Sequence, residues 1–369
     1  MHLPFLPEQF GGFFILKTKI FISITMSFVI FLFCIALGSV NIPVFDVFRI
    51  VLYVSFNVVT NILQRIFPGN FYIPLAGHIT DANLAIVRDL RLPRVLLAFL
   101  AGSTLSVSGA VMQSVLRNPL ASSYTLGVSS GASLGAALVI FLGITLPFAQ
   151  IMTLPLLGFT FGLATILIVM AIVSRVDGRM ENQTIILTGM VFSLFISAIT
   201  TLMFVLFREN VQRMVFWQMG SFAMRDWHTV HILAPVAVLG VIFVTRYSRE
   251  LDILTFGEEQ AQAVGVNSKN TKWILLVTSA AITGSTVAFV GVIGFVDLVA
   301  PHIVRKIFGA AHRYLIPMSA VIGGAFMALC DLAARTVISH VELPVGAVTA
   351  IIGAPFFAYI YFSKGKVRR

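Results

Sequence analysis

A succession of apolar runs, each about twenty residues long and separated by Pro, Gly and clusters of charge, constrains this chain more than any other feature. A helix of that length crosses the roughly 30 Å hydrocarbon core of a bilayer. The runs fall at residues 18–39, 92–115, 126–146, 152–174, 184–207, 229–245, 272–294, 296–309, 314–336 and 345–363, which predicts ten spans. Only 11% of the 369 residues are Asp, Glu, Lys or Arg, less than half the share of about 25% in soluble domains. That composition excludes a disordered, collagen-like or disulfide-stapled chain and argues against a soluble enzyme. The sequence predicts an all-α polytopic membrane protein.

Three details qualify the span pattern. The eighth span is short, so the chain must turn near Gly294–Asp297, at an outer turn after the seventh span. The first run is longer than the apolar core of a secretory signal and lacks a small-residue cleavage site, so it reads as a retained span. Phe45–Phe67 is apolar enough to cross, but it carries Asp46, Arg49, Asn57, Asn61, Gln64 and Arg65. Burying those groups in hydrocarbon costs more than its Val and Ile return, which predicts a segment lying at the outer interface. Residues 1–90 therefore read as one span plus an outer segment, and 91–369 as a single membrane core.

With the N-terminus inside, ten spans return the C-terminus inside, and sixteen of the 25 Lys and Arg fall on the cytoplasmic side. The tail Lys364–Arg369 is the firmest element of this asymmetry. The net charge of +10 is that bias spread over short loops, not a nucleic-acid surface. Cys34 and Cys330 lie in apolar runs and offer no disulfide framework.

A weak internal repeat appears at an offset of 182 residues. Ala98, Gly102, Ser103, Thr104, Gly109, Leu116, Pro119 and Gly127 match Ala280, Gly284, Ser285, Thr286, Gly291, Leu298, Pro301 and Gly309. Five spans separate the copies, so the second runs opposite to the first, as in the inverted repeats of transporters. Small residues also recur wherever helices pack closely.

Catalytic constellations are missing from the sequence. There is no phosphate-binding GxxxxGK[ST], no HExxH, no CxxC and no GxSxG. Ser129-Ser130-Gly131 reads as a small-residue packing site. His228 and His231 could pair on a helix, but only Asp226 is near to join them, so no metal site is predicted. With no nucleotide-binding motif, transport would need an ion gradient or a separate ATPase. For a gradient-driven carrier the candidate acids are Asp297, Asp331 and Glu342. Asp331 stands four residues before Arg335, the spacing of a structural ion pair. For an ATPase-driven importer the candidate is the inner loop 247–271. There Ser248 or Asp252 can cap short helices, and Gly257 and Gly265 can end them. Leu251, Leu254, Phe256, Ala261 and Val264 would supply an apolar face, making a compact knob for a partner.

From about residue 90 onward the chain resembles the permease subunits of bacterial ABC importers for ferric siderophores, haem and cobalamin. The resemblance rests on ordered motifs: LRLPRVLLAFLAG (90–102), SGAVMQSVLRNPLA (108–121), TLGVSSGA (125–132), FWQMGSF (216–222), LDILTFGEEQAQAVGV (251–266), GVIGFVDLVAPHIVR (291–305), HRYLIP (312–317), DLAARTV (331–337) and ELPVGAVTAIIGAPFFAYI (342–360). It implies a cobalamin-importer-like fold of ten helices, a second permease subunit, a cytoplasmic ATPase that consumes the ATP, and an extracytoplasmic binding protein. It implies no cofactor bound by this chain and a place in the prokaryotic inner membrane.

By position, the resemblance makes Leu251, Gly257, Glu258, Ala261 and Gly265 the ATPase-coupling residues. It makes Arg91, Arg94 and Arg335 the outer arginines that hold carboxylates of the binding protein. It draws the pathway along Gly189, Ser193, Ser197, Thr200, Trp217, Ser221, Thr349, Gly353 and Pro355. Asp297 stands where the family commonly has Gly, and the first 90 residues match only in outline. The expected cargo is a ferric siderophore, with haem, cobalamin and molybdate as alternatives; a gradient-driven carrier and a non-transporting scaffold are the rival classes.

Overall fold

The computed structural model describes residues 7–38, 40–66, 79–147, 149–338 and 341–363; the basic tail Lys364–Arg369 lies outside them. Every regular element among these residues is a helix. The order is α1 (Pro7–Ala36), α2 (Val44–Ile66), α3 (Asp81–Ala85), a π-turn (Ile86–Arg91), α4 (Leu92–Val115), α5 (Val128–Leu142), α6 (Thr153–Val176) and α7 (Asn182–Leu206). There follow α8 (Val211–Gln218), α9 (Trp227–Arg246), α10 (Ser248–Phe256), α11 (Glu258–Ala263), α12 (Ser268–Val290), α13 (Val296–Phe308), α14 (His312–Thr336) and α15 (Val345–Ser363).

Each of the ten predicted spans coincides with one helix. Among the described residues, seven stretches are long and apolar enough to cross a membrane: α1, the continuous α3–α4 rod, α6, α7, α9, α12 and α14. The third predicted span, 126–146, is cut to the 15 residues of α5, because Gly127 (φ +89°) and Gly143 (φ +64°) bracket it in left-handed conformations. At 1.5 Å per residue α5 rises only about 22 Å. The described part of the segment 45–67 is a regular helix, α2, up to Ile66. Its Val47 and Ile50 pack on Cys34 and Ile35 of α1 and on Val87 and Val95, beside the start of α4.

Small residues set the close contacts. A Cβ on Gly102 of α4 would overlap the Gly323 backbone of α14, and one on Gly323 would strike Ser106 and the Gly102 carbonyl. Ser103 Oγ donates to the Ala320 carbonyl at 2.7 Å across the same seam. Gly131 and Gly135 of α5 press on the α6 backbone in the same manner. Lipid tails are as apolar as Leu, so helices in a bilayer gain more from such close backbone approach than from burying large side chains.

α4 runs from Arg94 toward the α10–α11 pair, and α12 runs back from that pair, as the inverted repeat requires. Where they cross, Thr104 Oγ1 and Thr286 Oγ1 hydrogen-bond at 2.7 Å, and these residues are 182 apart. Residues related by the repeat thus touch each other, as residues near a two-fold axis must. The larger pattern agrees, since α4 packs chiefly on α14 while α12 packs chiefly on α6.

The expected outer turn at Gly294–Asp297 is corrected by the structure. Positive φ at Gly291 (+78°) and Phe295 (+70°) turns the chain back into the bundle. Gln113 Nε2 donates to the Asp297 carbonyl at 3.1 Å, and the Asp297 backbone fills the space beside Gly109. Both contacts belong to the last two turns of α4, so α13 begins inside the protein. Non-helical backbone at such depth survives only where protein satisfies its polar groups. Tyr124 Oη does this for the Ile293 carbonyl at 2.5 Å.

Gly102→Leu should lower the thermal unfolding midpoint in detergent, at a cost of about 2 kcal/mol or more from overpacking. Gly178→Ala, which adds a methyl to open space, should leave the midpoint unchanged. Equal midpoints for all three proteins would refute the seam.

Candidate functional site: an arginine cage, a hydroxyl cavity and a helical knob

At one end of the bundle the three expected docking arginines meet. Arg94 is clamped bidentately to Asp331, with its Nη2 2.7 Å from Oδ1 and its Nε 3.0 Å from the same oxygen. Its Nη2 also reaches Glu342 Oε1 at 2.7 Å. Arg335 Nε lies 3.5 Å from Asp331 Oδ2, the ion pair expected from their four-residue spacing. The Asp331 side chain is fully buried and caged between two guanidiniums. Glu342 is likewise engaged, by Arg94.

Arg91 and Arg335 also close the end of α1. Arg91 Nη1 donates to the Ile35 and Ala36 carbonyls at 2.9 Å, its Nη2 donates to Val40 O at 2.5 Å, and Arg335 Nη2 donates to Cys34 O. Cations on the orphan carbonyls of a helix C-terminus are favoured by hydrogen bonding and by the helix dipole together. The side chains of Arg94 and Arg335 are only 15% and 11% exposed. All three are engaged internally, Arg91 and Arg335 by carbonyls at the end of α1 and Arg94 by Asp331 and Glu342. They still line a cavity of about 520 Å³, joined by Arg225, Asp89 and Asp226. Arg225 was missed in the sequence, and its Nε has no acceptor among the described residues. Burial pushes its guanidinium below the ordinary arginine range.

A second cavity, of about 400 Å³, lies between α5 and α7. Ser129, Ser130 and Ser133 face Ser197, Thr200 and Thr201 across it, with Phe204, Gln218 and Val292 completing the wall. None of these residues is charged, so the lining offers hydroxyl and amide groups without an ion partner. Ser193 stands beside it, its Oγ 2.5 Å from Ser130 Oγ. Of the expected pathway residues, Ser197 and Thr200 line this space. Gly189 instead packs on Leu126, and Gly353 packs on Phe295. Thr349 is buried with its hydroxyl on the Gly346 carbonyl. Ser221 reaches toward Glu342 Oε1 at 3.5 Å, in the arginine cage. Trp217 is half-buried, and Pro355 is exposed on α15. The Ser129-Ser130-Gly131 packing site proves to be mixed: Gly131 packs on α6, while the two serines face the cavity.

At the opposite end α10 and α11 form the knob. Gly257 joins them at φ +128°, a conformation costly for any residue with a Cβ. Gly265 (φ +86°) closes α11 in a Schellman motif, with Val266 N–H on Ala261 O and Gly265 N–H on Gln262 O. The apolar face divides in two. Leu251, Leu254 and Ala261 are buried under the knob, whereas Phe256 is 75% and Val264 66% exposed. Glu258 is half-buried and salt-bridged to Lys272. Most of the expected coupling residues therefore seat the knob, and Phe256 and Val264, with Glu259 and Gln260, form its outward surface. Asp252 caps no helix of the knob; its Oδ1 accepts from His312 N–H at 3.0 Å and lies 2.6 Å from His312 Nδ1, capping α14.

A helical membrane bundle with re-entrant short helices and a compact knob at one end is the build of a transport permease. The chain belongs to the FecCD transport family, whose model matches residues 26–363. It is 41% identical over 326 residues to the ABC transporter permease YvrB of Bacillus subtilis (strain 168), covering 88% of each chain. It is 38% identical over 287 residues to the cobalamin import system permease BtuC of Halobacterium salinarum, covering 78% of this chain and 76% of that one. With the iron-citrate import permease YfmE of Bacillus subtilis (strain 168), identity is 37% over 275 residues, or 74% and 81% of the two chains. A solved inward-facing structure of a metal-chelate type ABC transporter matches with a TM-score of 0.71 at 30% identity, covering 86% of this chain and 98% of that one. The protein is a multi-pass ABC-importer permease, a transport subunit.

Asp331→Asn should lower stability by about 3 kcal/mol, because it removes the buried carboxylate that two guanidiniums share and leaves Arg94 only Glu342 and Arg335 only the Cys34 carbonyl. Glu342→Gln, at a partly exposed pair, should cost about 1 kcal/mol or less. Thermal unfolding in detergent separates the two; equal small effects would mean that the cage does not hold α4 to α14.

Proposed function

We propose that this chain is the membrane subunit of an ATP-driven importer that takes up a ferric siderophore or a related iron chelate. Two copies, or this chain and a related one, enclose the pathway in the inner membrane with both termini in the cytoplasm. A separate ATPase grips the 247–271 knob, and an extracytoplasmic binding protein delivers the cargo at the arginine end. The observation that carries the reading is the knob itself, a glycine-jointed helix pair that leaves Phe256 and Val264 exposed beyond its own buried seat. Large apolar side chains held outward on a polar surface mark a protein contact.

The docking role is assigned to the cavity lined by Arg91, Arg94, Arg225 and Arg335. A binding-protein carboxylate entering it would pair with Arg225, whose Nε has no acceptor among the described residues, and would draw Arg91 and Arg335 from the α1 carbonyls as it seats. The iron-chelate assignment rests on the iron-citrate permeases among the relatives and on the uncharged, hydroxyl-lined cavity. Such a lining suits a bulky polar cargo that must be passed on rather than held. Haem, cobalamin and molybdate remain the alternatives.

Phe256→Asp combined with Val264→Asp should abolish capture of a nucleotide-hydrolysing partner from the native host while leaving the unfolding midpoint unchanged. Vesicles holding the complete complex should then take up a ferric siderophore in an ATP-dependent manner, in preference to haemin, cobalamin or molybdate. If no ATPase binds the unaltered chain, the importer reading fails. Preference for another cargo would refute the iron assignment alone.

A further inference from the structure

The knob rests on the bundle through two separate polar chains, and they lead to different helices. The first starts at Asp252 of α10 and passes through His312 to Ser114 of α4, with His312 Nε2 2.6 Å from Ser114 Oγ. Arg305 of α13 joins it by donating to the same Ser114 oxygen at 3.3 Å. This chain fixes α10 to the α4–α14 seam.

The second chain starts at Glu258, the first residue of α11. Its carboxylate binds Lys272 of α12, whose side chain is 1% exposed. Lys272 Nζ donates also to the Met180 carbonyl at 3.0 Å and to Asn182 Oδ1 at 2.6 Å. An ammonium has three N–H groups, and all three are used. Asn182 is the first residue of α7, a 25-residue helix with no internal proline. Further along that helix stand Ser197, Thr200 and Thr201 of the hydroxyl cavity, about 22–28 Å away at 1.5 Å per residue. One side of α7 packs on α5 and α6, and another exposes Leu187, Val191, Leu194, Phe195 and Leu202. It is therefore a stiff rod with one face free of its own bundle.

These contacts explain why a lysine occupies a site where an apolar residue would seat the knob as well. A leucine would bury area without regard to direction, whereas three charge-assisted bonds fix α11 and the start of α7 in one mutual position. Gly257, at φ +128°, lies between the two anchors and is the one residue joining α10 to α11.

We propose that Lys272 is the positioning residue that carries displacement of α11 to α7 and so gates the hydroxyl cavity, with the Asp252–His312–Ser114 chain holding the fixed side. The proposal rests on the knob being the ATPase contact.

The test uses the complete permease–ATPase complex in lipid vesicles, with Cys34 and Cys330 changed to Ala. Spin-label pairs at Gln262 and Arg313, and at Leu202 and Leu329, read the knob and α7 separately against α14. In the otherwise unaltered complex, ATP should shift both distances. In Lys272→Met, ATP hydrolysis should stay within about twofold and the Gln262–Arg313 shift should persist. The population showing the Leu202–Leu329 shift should fall about tenfold, the loss of a typical coupling. Glu258→Gln keeps an acceptor oxygen and should give an intermediate loss; it carries the test if Lys272→Met does not assemble. A full Leu202–Leu329 shift in either variant, or none in the unaltered complex while the knob moves, overturns the proposal. Failure of the unaltered chain to bind an ATPase overturns instead the importer reading beneath it.

Discussion

The approach of α4 to α14, backbone to backbone at Gly102 and Gly323, is the contact on which the other elements depend. Neither helix could come so near with a side chain at those positions, and each end of the seam is closed by a charged or polar clasp. Arg94 and Asp331 close one end, and Ser114 and His312 the other. The arginine cage exists because the seam brings Asp331 opposite Arg94 while α1 and the residue-342 segment lie alongside. The knob is held square to the bundle because Asp252 caps the very helix that the seam immobilises. Packing, in this protein, decides where the charges can be.

How much of this was legible in the sequence follows from what each signal measures. Apolar runs report hydrocarbon-spanning length, and they located ten of the helices, including the short α13 at the eighth predicted span. They do not report depth, so Asp297 was placed at an outer turn when it lies against Gly109 and Gln113. Nor does an apolar face say what it will meet: Leu251 and Phe256 belong to one hydrophobic pattern, yet one is fully buried and the other 75% exposed. The arginines were found by motif, but the engagement of Arg91 and Arg335 depends on carbonyls of Cys34, Ile35 and Ala36, more than fifty residues away. Arg225 carries no signal at all until the cavity around it is seen.

Charge and hydroxyl groups are sorted along the molecule. Ionic contacts gather at the two ends, where carboxylates, guanidiniums and one buried ammonium join helices to one another. The cavity between α5 and α7 is lined by hydroxyls and an amide. In a low-dielectric setting a fixed charge would hold an oppositely charged solute too firmly to release it. A hydroxylated wall offers hydrogen bonds that exchange readily. On the proposed reading, the division separates the parts that would transmit force from the part that would touch cargo.

The hydrogen bond between Thr104 and Thr286 carries a further consequence. In a symmetric dimer, the residue on the axis touches its own copy, and any substitution there is made twice at once. Here the two copies sit in one chain, so each threonine can change alone. That both remain hydroxylated, and remain bonded to each other, marks the point at which the two halves of a single polypeptide still meet as a pair of identical subunits would.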